Sequence, residues 1–221
     1  MREAYHVELE ELAGNLANMS VQVANAMEKA TKALLDADLG LAEQVIGDDA
    51  KIDDLRAECE EQAYALLALQ APVATDLRTV LAVIHAAESL ERMGDLALHV
   101  AKAARRRHPE HALPDPVRPY FQEMGEAVVK LALRTEEVIK SKDVEAARSL
   151  EAEDDRVDEI HRHLFSVIMA KDWEFGVPAA VDVTLLGRFY ERYADHAVSV
   201  AKRMVFVATG KMPGYGSDED V

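Results

Sequence analysis

Residues 91–102 read Glu-Arg-Met-Gly-Asp-Leu-Ala-Leu-His-Val-Ala-Lys, and residues 191–202 read Glu-Arg-Tyr-Ala-Asp-His-Ala-Val-Ser-Val-Ala-Lys. Seven of the twelve paired positions are identical at an offset of 100 residues. A stretch repeated at that spacing constrains the chain to a duplicated unit rather than one irregular domain. The repeated acids, Glu91/Asp95 and Glu191/Asp195, stand four residues apart, which at about 100° per residue puts each pair on one face of a helix.

Helix is also what the composition favours. Hydrophobic residues make up 49% of the chain and aromatic residues only 5%, with Ala, Leu, Val and Glu abundant and no alternating β-branched run. This describes an all-α protein with a core of small and medium side chains. Leu9, Leu12, Leu16, Met19, Val23, Met27, Ala30 and Leu34 recur at helical spacing and predict a first helix over about 3–35. Asp38-Leu39-Gly40 predicts its end, with Gly40 as terminator. A second helix is expected over 41–69, stopped by Pro72, and a third from a cap at Thr75 to about 107. Four of the seven prolines fall at 109–119, marking a linker or joint between halves. Helices are then expected over 119–140, from the Ser141-Lys142-Asp143 break to about 171, and from the Trp173–Pro178 turn to about 210. The resulting organisation is two tandem three-helix bundles, at 1–108 and 119–210, with a Pro-rich linker at 109–118 and a disordered tail at 211–221.

A duplicated chain should repeat more than one stretch. At an offset of 105, Asp49/Asp53 align with Asp154/Asp158, again two acids four residues apart. Asp49/Asp53 and Glu91/Asp95 lie equidistant from Pro72, while Asp154/Asp158 and Glu191/Asp195 lie equidistant from the Trp173–Pro178 turn. In each antiparallel hairpin the two acid pairs should therefore face one another at one height, across helices roughly 8–10 Å apart.

Four carboxylates so placed repel one another unless something compensates them. Hard cations such as Mg²⁺, Mn²⁺ or iron take oxygen ligands of this kind. The alternative is ion pairing with Lys51, Arg56, Arg92, Arg156, Arg188 or Arg192 on an ordinary solvated face. Histidine does not repeat with the acids: His196 answers Leu96, His99 answers Ser199, His161 and His163 have no partners in the first half, and His85 is read as packing or capping locally. The Glu-x-x-His pattern of ferritin-like di-iron sites is missing. So are the phosphate-cradling, nucleophile-elbow, Cys-x-x-Cys and His-Glu-x-x-His motifs. The small residues Ala87, Gly94, Ala97, Ala101 and Gly187, Ala194, Ala197, Ala201 are read as close-packing positions.

A net charge of −16 disfavours direct nucleic-acid binding. The start shows no signal peptide, and no apolar run approaches about 18 residues, so no bilayer span is expected. The lone Cys59 cannot form an internal disulfide, suits a reducing cytoplasm, and is read as an ordinary helix residue.

Tandem bundles carrying Glu-Arg-x-x-Asp on each third helix and Asp-x-x-x-Asp on each second helix, together with Thr75-Asp76-Leu77-Arg78 and Glu191-Arg192-Tyr193-Ala194-Asp195-His196-Ala197, resemble the PhoU family over residues 1–210. The resemblance implies a metal-binding face in each bundle, mapped onto Asp49, Asp53, Glu91 and Asp95, then Asp154, Asp158, Glu191 and Asp195. It implies divalent or iron-type ions (Mg, Mn, Fe or Zn) without selecting among them. It also implies a non-catalytic, cytoplasmic adaptor, commonly a homodimer, between the ATPase of a phosphate ABC transporter and a sensor histidine kinase, repressing the phosphate-starvation response. Against it stand a metal-free helical scaffold and a carboxylate-bridged metallohydrolase, the latter lacking a repeated nucleophile, histidine or phosphate loop.

Overall fold

The computed structural model describes residues 2–211; of the expected tail, 212–221 lie outside the described residues. Six helices carry the chain: α1 Arg2–Asp36, α2 Leu39–Gln70, α3 Ala74–Arg107, α4 Arg118–Ser141, α5 Val144–Ile168 and α6 Gly176–Thr209. No strand occurs among the described residues.

The apolar stripe predicted for α1 is its buried face: Leu12, Leu16, Met19, Val23, Met27, Ala30 and Leu34 are all inaccessible or nearly so. The turn after it differs from expectation. Gly40 lies inside the first turn of α2, and Ala37 is the left-handed residue (φ 52°) that ends α1. Asp38 caps α2, its Oδ1 accepting from the Leu41 amide at 3.0 Å. The turn between α4 and α5 is built alike, with Lys142 left-handed (φ 55°) and Asp143 accepting from the Glu145 and Ala146 amides. The pairs Ala37/Lys142 and Asp38/Asp143 share the 105-residue offset of the acid pairs, so the duplication reaches the caps. An aspartate placed to satisfy orphan amides decides the start of each helix more firmly than a nearby glycine decides an end.

Thr75 is likewise not a cap. Helix α3 starts at Ala74 after Val73, which offers no side-chain cap, and Thr75 instead accepts from Arg78 Nη2 at 2.9 Å. His85 is exposed rather than packed.

Helices α3 and α6 are central: α3 packs against α1, α2 and α6, and α6 against α3, α4 and α5. The two run antiparallel. Arg78 lies against Gly210 at one end, the His99 and Phe189 rings stack tilted at 5.2 Å farther along, and Arg106 meets Asp182 at the other end. Helices α1 and α4 complete the contact between bundles. Gly125 is required there, because a Cβ at that position would fall 2.5 Å from Thr31 Cγ2. Buried hydrogen bonds also cross between the bundles, from Ser20 Oγ to the Ala132 carbonyl at 2.9 Å and between Thr31 Oγ1 and the Tyr190 hydroxyl at 2.8 Å.

One hydrophobic cluster runs through both bundles. The Pro-rich segment joins it: Ala112, Leu113 and Val117 are buried, and a 3-10 turn at Asp115–Val117 leads into α4. Cys59 is fully buried, and burial pushes its thiol up to about 11, away from reactivity.

Candidate metal-binding faces

Each face is set by how closely its two helices approach. A Cβ on Gly94 of α3 would sit 3.1 Å from Ile52 of α2, and one on Gly187 of α6 would sit 3.0 Å from His161 Cδ2 of α5. Ile52 lies between Asp49 and Asp53 in sequence, and Gly94 between Glu91 and Asp95. This contact therefore brings the two acid pairs of the first bundle level across the hairpin. His161–Gly187 does the same one turn away from the second set.

The electrostatics follow this proximity. Glu91 is pushed up by burial, then by Asp95, with Asp53 adding and Arg92 and Arg56 opposing. Asp49 is raised by burial, then by Asp53 and Asp95, against Lys102 and His99. Glu191 is raised by burial, then by Asp195 and Asp158, against Arg188. Asp154 moves farthest, to about 7: burial leads, and Asp158, Asp195, Asp155 and Glu191 all push the same way. Each set of four acids thus interacts as a unit.

Cationic neighbours are divided unequally. Arg92 Nη1 donates to Asp95 Oδ2 at 3.0 Å, with its Nε 3.6 Å from Glu91 Oε2. Arg188 pairs with Glu191 Oε1. Of the other candidate counter-ions, Lys51 pairs with Asp48 and Arg156 with Glu123 and Glu159, Arg56 pairs with Glu60 while its charge still reaches Glu91, and Arg192 bears on His196. Glu191 Oε2 and Asp154 Oδ1 are buried without a hydrogen-bond partner. Among the described residues, no three Asp, Glu, His or Cys side chains close into a ready coordination shell.

The residues suit a hard cation, since every donor is a carboxylate oxygen and two of those oxygens are buried and unpartnered. Zn²⁺, which favours nitrogen and sulfur, suits the set least. Histidines border both faces: His99 bears on Asp49, Asp158 on His161 and Asp195 on His196. His196 lies half-buried between α6 and α3, its imidazole shifted down by burial and then by Arg192 and Arg92, and His163 bonds the Tyr120 hydroxyl at 3.1 Å. Lys102 was legible only as an identical position in the repeat. In the structure it bears on Asp49, whereas its counterpart Lys202 pairs with Glu151 at 2.7 Å.

Comparison with known proteins agrees with this duplicated arrangement. The family model "PhoU domain" matches residues 16–104 and again 121–204. The chain is 57% identical over 213 residues to the phosphate-specific transport system accessory protein PhoU homolog 2 of Mycobacterium tuberculosis, covering 96% of this chain and 100% of that protein. It is also 57% identical to PhoU homolog 1 of Mycobacterium leprae, covering 96% of each. The crystal structure of the phosphate transport system regulatory protein PhoU from Streptococcus pneumoniae superposes with a TM-score of 0.86 at 25% identity, covering 94% of this chain and 98% of that one. PhoU from Pseudomonas aeruginosa gives 0.82 at 26% identity, covering 94% and 100%.

Proposed function

The chain belongs to the PhoU family, and from that premise we propose that it is an accessory protein of a phosphate transport system that acts as a metal-binding regulator. It works by binding rather than by catalysis. In the cytoplasm it connects the ATPase subunit of a phosphate ABC transporter to the sensor histidine kinase of a phosphate-responsive two-component system, and it restrains both uptake and the starvation response when phosphate is plentiful. It does so as a homodimer. Its eight acids, Asp49, Asp53, Glu91, Asp95, Asp154, Asp158, Glu191 and Asp195, hold Mg²⁺, Mn²⁺ or iron, which would supply positive charge that ties paired helices together.

The observation that carries the reading is the duplicated pairing of acids across two helix hairpins, joined to relatives whose names place them in phosphate-specific transport. The metal-free scaffold keeps one specific support: Arg92 already neutralises part of the first face. Deleting the gene in its native host tests the regulatory role. Starvation genes should then be expressed at high phosphate, and tagged protein from wild-type cells should bring down the ATPase or the kinase. Unchanged uptake and unchanged expression after deletion would refute it.

A further inference from the structure

The seam between α4 and α5 is closed by its own side chains. Arg156 Nε donates to Glu123 at 2.8 Å, Lys130 Nζ lies 3.3 Å from Glu153, Arg134 pairs with the same Glu153, and the His163 ring bonds the Tyr120 hydroxyl at 3.1 Å. At the 105-residue offset, the α1/α2 seam carries Lys51 and Asn18, Asn25 and Asp48, Lys29, and Glu58 and Asn15 in their places. Among the described residues none of these cross-seam contacts is made there. Lys51 turns to Asp48 on its own helix at 2.7 Å, Lys29 bears on Asp48 less than Lys51 does, and Asn15 reaches Gln62 instead, at 2.9 Å. Asp54 and Glu58 are exposed and carry no ion pair among the described residues. What remains is a groove of about 400 Å³ between α1 and α2, with Asn18, Gln22 and Asn25 on one wall and Asp54 and Glu58 on the other.

Carboxamides on successive turns each offer donors and an acceptor, the complement of a peptide group. From Asn18 to Asn25 they span about 10 Å along α1, the length of about three extended residues. Asp54 and Glu58 stand about 6 Å apart along α2, close to the roughly 6.6 Å between alternate side chains of an extended strand. We propose that this groove docks an extended peptide segment of a partner protein, its backbone on the α1 amides and its lysine or arginine side chains, at alternate positions, on Asp54 and Glu58. Charge complementarity favours such a segment, since the chain carries a net charge of −16 and the groove is lined by four carboxylates against two ammonium groups. A second copy does not supply it: the chain's longest basic run, Arg105 to Arg107, is locked in α3, with Arg106 and Arg107 held by Asp182. Such docking requires no cation at either acid face.

The test is fluorescence anisotropy of the full chain with two labelled peptides of one composition, lysine alternating with threonine in the first and all lysines gathered at one end in the second. The alternating peptide should bind more tightly. N18E/N25K, which gives this seam the ion-pairing residues of its twin without changing net charge, should abolish that preference while helicity by circular dichroism stays unchanged. D54N/E58Q should weaken the alternating peptide about tenfold, the combined size of two partly screened ion pairs, while D172N/E174Q, which removes the same charge from the turn between α5 and α6, should not. Equal binding of the two peptides, a preference that survives N18E/N25K, or equal weakening by D172N/E174Q would overturn the proposal. So would tighter binding of a peptide with lysine at every fourth position, the mark of a helical occupant. None of these results bears on the phosphate-regulatory reading, which stands or falls on the deletion experiment above.

Discussion

Between about pH 4 and 7 the folded, metal-free chain keeps a proton on Asp154 that the unfolded chain has already released, because burial and the acids around it raise that carboxyl from 3.8 to about 7. A folded state that binds more protons than the unfolded one loses stability as pH rises through the window. Denaturant midpoints of the metal-free protein should therefore fall from pH 5 to pH 7.5. The Asp154→Asn variant should flatten that fall, and a saturating hard cation should offset it. A slope that Asp154→Asn leaves unchanged would mean that Asp154 does not set it, since His161 and His196, both lowered by burial, tilt stability the other way. Little of this was legible in the sequence. The eight acids could be placed by their spacing, but their counter-ions could not, because Lys102 and Lys202 are identical letters that reach different partners.

At the level of single elements, turn chemistry follows side-chain hydrogen bonding more closely than glycine position. Asp38 and Asp143 cap α2 and α5 in the same way, and replacing either by alanine should cost about 1 kcal/mol, read as a shift in chemical denaturation. Gly40, which looked like a terminator, sits within α2 and carries no positive φ. Gly125 is the more demanding glycine. An alanine there would drive its Cβ into Thr31, which is buried and bonded to Tyr190, so Gly125→Ala should destabilise by about 1–3 kcal/mol, measured the same way. Helix number, order and approximate bounds were readable because the apolar stripes are long. The exact ends were not, since they depend on caps one or two residues long.

For the whole molecule, the halves that duplicate in sequence share one core in space. The 109–118 segment, read as a linker, contributes Ala112, Leu113 and Val117 to that core. Nothing in a proline-rich string announces that its few apolar residues are buried. Calorimetry should show a single cooperative transition, and two separable ones would contradict a shared core. Asp182 strengthens the union: 5% exposed, it accepts from Arg106 Nη2 and Arg107 Nε, each at 2.8 Å, joining the end of α3 to the start of α6. Asp182→Ala should cost about 1–3 kcal/mol, since the arginines freed by it can still reach water. On the function proposed above, this joined frame holds two facing sets of acids for cations. Anomalous diffraction from crystals grown with Mn²⁺ tests it most directly. Metal peaks are expected between α2 and α3 and between α5 and α6, within coordination distance of the paired acids. Clean maps without such peaks, with Arg92 and Arg188 still closed over Asp95 and Glu191, would contradict it.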